Sequence, residues 1–379
     1  MDLPAGSPFA SIHSSDVAEL CRSDTLKANG CGRIVFEQAG RMPLPDWRIV
    51  NRTVKQPYPI FTDFPEMGMT VLEDVYCLPF APPFQISPCR IFNDYLIPWS
   101  PGAMGWFTHQ PDGQYRSNLA IESSDINHSY EVALFMDHSI FGHYGHFMGD
   151  CLPRLHAWSH CRRIFGDKIP MIVASESRET FHDRLFEAAG VSADNVARTM
   201  GLVHCKKLIL PSMSMSLERY ASPSSARLWA RMRDRLAPWN DALPERIYVS
   251  RTGMRLRKLA QESEVEQLFG RYGFVSIQPE TLPVERQAAL FANAKLIAGE
   301  SGSGLFNLAF QGRLRSAFVM VSEGYPQMSE LLFSAGRDCE LRYHFGPTMP
   351  DIDPDDPGRW QVDLGALEND VADWMLSHR

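Results

Sequence analysis

Several features are missing from this sequence, and each absence removes a class of protein. Its eight cysteines, at 21, 31, 77, 89, 151, 161, 205 and 339, stand singly with no C-x-x-C pair among 379 residues. That excludes a disulfide scaffold and a cysteine redox or zinc motif, and leads us to expect reduced packing residues. No apolar run approaches the roughly 18 residues a membrane span needs. The opening MDLPAGSPFASIHSSD carries acid and lacks the basic stretch and apolar run of a secretory signal, so a cytoplasmic location is expected. There is no basic excess either: 37 Lys and Arg against 45 Asp and Glu give a net charge of -8. This disfavours a general nucleic-acid or anionic-membrane binder while leaving room for a local basic groove. Repeats and low-complexity tracts are absent too.

What is present is ordinary globular composition, 44% hydrophobic and 22% charged, in a chain long enough for two domains. Up to about residue 130 the sequence reads as short strands (VFEQ, WRIVNRTV, VYCLPF, CRIFNDYLI, EVALFM) between Pro- and Gly-containing breaks. The loops there carry aromatics, Tyr58, Phe61, Phe64, Trp106 and Phe107, that suit either recognition or anchoring. From about 140 strands and helices alternate. HFMGDCLPRLHAWSHCRRIFG reads as a helix with Leu152, Leu155, Trp158 and Ile164 as its apolar stripe, and PSSARLWARMRDRLAPW as a basic amphipathic helix. PWNDALPE, 238–245, is the best linker. ERIYVSR, FVSIQPE, KLIAGE, SAFVMVSE and ELRYHFG follow as strands separated by helices, SGSGLFNLAFQG and PQMSELLFSAG among them. Such alternation predicts a parallel sheet covered on both faces, with ligands at the carboxyl ends of its strands. The expected division is 1–237 as an α/β domain with a strand-rich first part, 246–345 as a second α/β domain, and 346–379 as an acidic loop and helix.

Two segments carry chemistry. In FGHYGHFMGDCLPRLH a helix beginning near His143 would stack His146, Asp150 and Arg154 at four-residue intervals. This stripe can hold a general base, its orienting partner and a guanidinium for an anion. Pro153 interrupts it, and the same residues also suit a capped, solvent-facing helix start. His143, His146 and Asp150 match no standard metal signature. The second segment is GESGSGLFN, 299–307, directly after a strand. Successive amides at a glycine-rich helix start form an anion site, although the segment is neither a P-loop nor a dinucleotide fingerprint. Packing alone would also account for such a turn. Arg251, Arg255, Arg257 and Lys258 follow the strand RIYVS, and residues 227–258 hold nine basic against three acidic side chains. Asp351, Asp353, Asp355 and Asp356 are expected to be a solvated loop.

These pieces together resemble the glycosyltransferase 61 family: GHYGHFMGDCLPRL, then RIYVSR with RLRK and ESEV, then YGFVSIQPETLPVERQAALFANAKLIAGESGSGLFNLAF and a strand ending at Glu323. The likeness spans about 140 to 345. It implies a GT-B-like fold, two Rossmann-like domains facing each other across a cleft, and an inverting transfer; with arginines to take the leaving charge and no firm metal motif, no metal is expected. The implied donor is a nucleotide sugar, a UDP-sugar first. The implied acceptor is a glycan or lipid-linked glycan in surface polysaccharide (capsule or lipopolysaccharide) synthesis, in the cytoplasm or peripherally at the inner face of the membrane. Carried over, the family's His and Asp fall on His146 and Asp150 and its strand Arg on Arg251. Its G-P-H-G-A-G-L-T-N segment keeps Gly299, Gly302, Gly304, Leu305 and Asn307, but has Glu300, Ser301, Ser303 and Phe306 at the Pro, His, Ala and Thr places.

On this reading Asp150 is the base, with His146 as close rival, and His143 and Arg154 lie on the acceptor side. Arg251, Arg255, Arg257, Ser301, Gly302, Ser303, Gly304 and Asn307 serve the donor, with Glu323 at its ribose. Asn307 equally suits holding the turn together. The rival readings are a nucleotide- or glycan-binding protein without turnover, and a nicotinamide oxidoreductase, which the missing fingerprint disfavours.

Overall fold

The computed structural model describes residues 4–5, 7–12, 32–52, 59–86, 89–92, 106–112, 114–118, 120–137, 141–174, 180–237, 242–349, 356 and 358–378. The chain divides into two compact units: Met1–Ala39 with Pro65–Ser214, and Gly40–Phe64 with Met215–Arg379. Both are α/β.

The first unit is built on one large mixed sheet. Its long strands Met67–Cys77 and Leu202–Pro211 run antiparallel, with Val203 opposite Cys77 and Pro211 opposite Met69. Beyond Leu202–Pro211 the order continues through Ala133–Phe135, Met171–Ala174 and Val196–Thr199, all parallel. Leu72, Val75, Phe135, Ile172, Val203 and Leu208 bury one core of this sheet. The chain leaves Ala133–Phe135 at its carboxyl end and enters the helical segment 144–165, so that segment's first residues lie beyond the strand ends.

The second unit carries a six-stranded, wholly parallel sheet. Its strands are β1 (Asp46–Ile49), β2 (Arg246–Val249), β3 (Val275–Ile277), β4 (Leu296–Glu300), β5 (Ser316–Ser322) and β6 (Glu340–Gly346). They lie in the order β3-β2-β4-β5-β6-β1. Helices α1 (Pro223–Leu236) and α3 (Val284–Asn293) pack with the turn of 303–310, while α2 (Glu262–Arg271) and α4 (Leu364–Ser377) contribute to a core of Tyr248, Phe269, Phe318, Trp360 and Trp374. From β2 the chain first adds β3 on one side and then crosses to β4 on the other. That reversal opens a crevice at the carboxyl ends of β2 and β4.

Several local expectations differ from the structure. WRIVNRTV reads as part of the strand-rich amino-terminal stretch, yet Asp46–Ile49 is the edge strand of the second unit, Glu340 opposite Asp46. Pairing between segments nearly 300 residues apart leaves no local signature. Helix α1 likewise belongs to the second unit rather than to a domain ending at 237. Of the linker 238–245, residues 238–241 lie outside the described residues, and 242–245 lead into β2 within that unit. The helix expected at 146–166 is a composite: an α turn at Tyr144–His146, a π segment at Phe147–Cys151, a 3-10 segment at Leu152–Ala157, then an α-helix at Trp158–Phe165. Pro153, lacking an N–H, sits at the start of the 3-10 stretch. The change of winding turns Ile164 outward, and Cys161 with Trp158 faces inward instead. The 3-10 winding of Ser303–Phe310 and the four-residue helix Glu330–Phe333 are shorter or tighter than expected.

The six cysteines among the described residues are unpaired; Cys21 and Cys31 lie outside them. Of the loop aromatics, Phe64 and Phe107 are buried and Phe61 is exposed; Tyr58 lies outside the described residues. Among the described residues no helix is long and apolar enough to cross a membrane.

Candidate functional site

In the first unit the chemistry gathers on the composite helix. His146 Nδ1 and Asp150 Oδ2 are 2.8 Å apart, the contact that a four-residue spacing allows. Asp150 is nearly buried and His146 is partly exposed. With the proton on Nδ1 donated to the carboxylate, Nε2 becomes the ring's proton-accepting atom. The His143 ring lies 5.2 Å from that of His146, centroid to centroid, and is exposed at the start of the α turn. Arg154 does not continue the stripe. The π and 3-10 windings between Phe147 and Ala157 turn it inward, where it is fully buried and Nη1 donates to the Asp137 carbonyl at 3.0 Å. Its guanidinium braces the strand end rather than an acceptor. A π segment widens the helix locally and often marks a functional turn.

In the second unit the crevice at β2 and β4 holds most of the remaining candidates. Arg251 leaves the end of β2, and its main-chain N–H donates to Glu262 Oε1 at 3.0 Å. Ser250 Oγ donates to the same oxygen at 3.1 Å. Glu262 is the first residue of α2, where a carboxylate is favoured by the helix dipole. The Arg251 guanidinium reaches across to β4, with Nε 4.0 Å from Glu300 Oε2. Nη1 lies only 2.5 Å from where a Cβ at residue 302 would stand, and Gly302 has φ of 151°. Glycine is required there twice over, for the backbone angle and for the close approach of the arginine.

The glycine turn itself is tied from below. Ser301 Oγ lies 2.8 Å from Glu330 Oε1, and the Gly302 N–H donates to that same oxygen at 3.0 Å. Glu330 is fully buried on the short helix after β5, and burial pushes its carboxyl up to about 7. One of the amides expected to receive a diphosphate is thus engaged by a carboxyl group of the chain's own. Ser301 N–H is also taken, by the Met320 carbonyl at 2.8 Å. Asn307 is buried and donates to Gln287 Oε1 at 2.9 Å and to the Gly304 carbonyl at 3.1 Å, so it holds the turn rather than facing the pocket.

Arg257 closes one side. Its guanidinium lies 4.1 Å from the Tyr325 ring centroid, a cation–π contact. Partial burial, and next the charge of Arg251, lower its pKa. The N–H groups of Arg257 and Lys258 donate to the two oxygens of Asp356 at 2.5 and 2.9 Å. Asp356 is buried, so the expected solvated acidic loop ends in a structural clamp; Asp351, Asp353 and Asp355 lie outside the described residues. Arg251, Arg257, Glu300, Ser301, Met320, Ser322, Tyr325 and Trp360 line one pocket. Arg255 is exposed and is not among them. Ser303 and Gly304 open the 3-10 turn beside it. Glu323 is exposed and ion-pairs with Arg52, whose guanidinium stacks on Phe345. Among the described residues no group of three His, Cys, Asp or Glu is arranged to hold a metal ion.

Sequence reasoning found Arg251, Arg257 and the glycine turn but missed the carboxyls around them. Glu262 stands in the stretch ESEV and Glu330 in PQMSELLFSAG, neither with a motif that announces a carboxyl turned toward Arg251. Trp360 and Tyr325 come from segments with no motif. Glu300 had a usable signal: an acid ending the apolar strand KLIAG.

Residues 144–319 match the sequence model of the family Glycosyltransferase 61, just under half of the chain. The matched stretch holds His146, Asp150, Arg251, Glu262, Glu300 and the glycine turn; Tyr325, Glu330 and Trp360 lie beyond it. No curated protein matches the chain.

Proposed function

We propose that this protein is an inverting glycosyltransferase, taking a sugar from a nucleotide diphosphate donor to a glycan or lipid-linked glycan acceptor. The observation that carries the reading is the convergence of Arg251 on Gly302 at the β2–β4 crossover, inside the segment that matches a glycosyltransferase family. Crossovers of this kind bind nucleotides, and a guanidinium against a glycine turn suits a diphosphate.

In the proposed reaction the acceptor hydroxyl oxygen attacks the anomeric carbon while the bond from that carbon to the diphosphate oxygen breaks. The hydroxyl proton passes to His146 Nε2, with Asp150 orienting the ring and bearing its growing charge; the 2.8 Å bond at Nδ1 supports this division over Asp150 as the base. Arg251 and Arg257 take the charge that develops on the leaving diphosphate, without recourse to a metal. Ser301 lends its hydroxyl to the same turn. The reading includes a GT-B-like fold class, with a UDP-sugar as the first donor to try. Its setting is surface polysaccharide synthesis in the cytoplasm or at the membrane's inner face.

Calorimetry with UDP, GDP, CMP and NAD tests it. Selective diphosphate binding that Arg251→Ala weakens by about thirtyfold or more is the expected outcome. A folded protein that binds none of the four sinks the reading. Two observations favour a second reading: Glu330 already engages the Gly302 amide, and serine stands where the family has histidine. Diphosphate binding with neither donor hydrolysis nor transfer would identify a binding protein on a transferase fold.

A further inference from the structure

Arg257, which lines the pocket, has a left-handed main chain with φ of 59°. For a residue with a Cβ that conformation costs energy and persists only where the surroundings impose it. Here three alternate residues of one later segment impose it. Buried Asp356 takes the N–H of Arg257 at 2.5 Å on one oxygen and that of Lys258 at 2.9 Å on the other. Trp360 Nε1 donates to the Arg257 carbonyl at 3.1 Å. A Cβ at Gly358 would stand 2.7 Å from Arg257 Cγ, so glycine there leaves room for the arginine stem. From the other side, the Tyr325 ring holds the guanidinium at 4.1 Å. Packing Trp360 into the core asks for none of this strain, because a glycine at 257 would offer Asp356 and Trp360 the same main-chain bonds without it. An arginine stands there nonetheless, its side chain in a pocket that Arg251 also lines. Two like charges at one pocket repel each other, and an untethered Arg257 would turn toward solvent.

We propose that the segment 356–360 is part of the donor site, and that Asp356 is a positioning residue that holds Arg257 beside Arg251 for the diphosphate. The inference rests on the reading of the pocket as a diphosphate site. It gives a role to a segment lying beyond the stretch that matches the family. Asp356 acts through the arginine: its two oxygens are engaged by main-chain N–H groups, so the acid serves an anion site without facing the anion.

The test is a double-mutant cycle read by calorimetry with UDP, GDP and inorganic pyrophosphate. Arg257→Ala should weaken binding by about tenfold or more. Asp356→Asn keeps one acceptor but turns an N–H toward the second main-chain N–H, and should weaken it by about three- to tenfold. Added to Arg257→Ala, it should cost less than about twofold further, because its effect passes through the missing guanidinium. An equal loss in both backgrounds is what a purely structural Asp356 would give, and it overturns the proposal. Binding by Asp356→Asn as tight as that of wild type overturns it too. Thermal unfolding supplies a check without ligand. Arg257→Gly should unfold about 2 °C or more above Arg257→Ala while Asp356 is present, and the gap should close once Asp356→Asn is added. Equal unfolding temperatures with Asp356 present refute the clamp. If wild type binds none of the three ligands while that gap is found, the clamp stands but the diphosphate site fails, and the role given to the segment fails with it.

Discussion

His146 and Asp150 stand four residues apart on one short turn, whereas the side chains that line the pocket with Arg251 come from separate segments between residues 257 and 360. The first arrangement is a local object: a spacing and a hydrogen bond on a helix whose winding changes at Phe147. The second is a tertiary object, in which a parallel sheet brings an arginine, a glycine turn, three acids and two aromatics to one crossover. A local pair can be lost by one substitution with little effect on folding. A buried charge cluster is woven into stability, and its electrostatics are set by how many protons it keeps.

That contrast can be broken in decreasing order of effect. His146→Ala should lower the turnover of donor with acceptor by about a hundred- to ten-thousandfold, the usual worth of a general base, with unchanged unfolding temperature. Asp150→Asn should cost about tenfold less than that, because it disturbs the ring's tautomer and orientation but leaves Nε2 in place. A milder effect at His146 than at Asp150 would exchange their roles.

Glu330→Gln should stabilise the protein at alkaline pH. The folded carboxyl holds its proton up to about 7, above its ordinary 4.5, so wild type loses stability as pH climbs through that window. The uncharged amide escapes this loss, by about 3 kcal/mol at most above pH 8 and by under about 1 kcal/mol near pH 5. Chemical denaturation at the two pH values checks it; a gain of equal size at both would place the cause in packing instead.

Arg251→Ala should weaken diphosphate binding by roughly 2–3 kcal/mol, the scale of a charged hydrogen bond removed from a partly buried site. Gly302→Ala should cost about 1–3 kcal/mol in stability through its backbone angle, and weaken binding by displacing the Arg251 guanidinium. If Gly302→Ala binds diphosphate normally, the arginine is not held by that turn. Arg255→Ala should change affinity by less than about threefold, since an exposed guanidinium contributes little.

Much of this architecture was legible in the chain. Strand–helix alternation announced a parallel sheet, and the ends of RIYVS and KLIAGE marked where its ligand-binding edge lies. The four-residue interval put His146 against Asp150 without further help. Arg154 was misplaced because Pro153 and the π segment break the helical period on which the interval argument depends. Arg255, Arg257 and Arg251 look alike as a basic run, yet only two of them line the pocket; which side of a turn a side chain takes is decided by packing.

The sequence by itself determined the α/β class, the histidine–aspartate pair and the glycine turn, since each depends on contacts within a few residues or on periodicity. Only the tertiary structure decided that Asp46–Ile49 completes the second sheet and that Asp356 clamps the loop of Arg257. It alone decided that Glu262, Glu300 and Glu330 surround Arg251. The physical reason is common to all three. Hydrogen bonds and charges between distant segments leave no periodic trace in a sequence, and a carboxyl's protonation belongs to its surroundings rather than to its residue type.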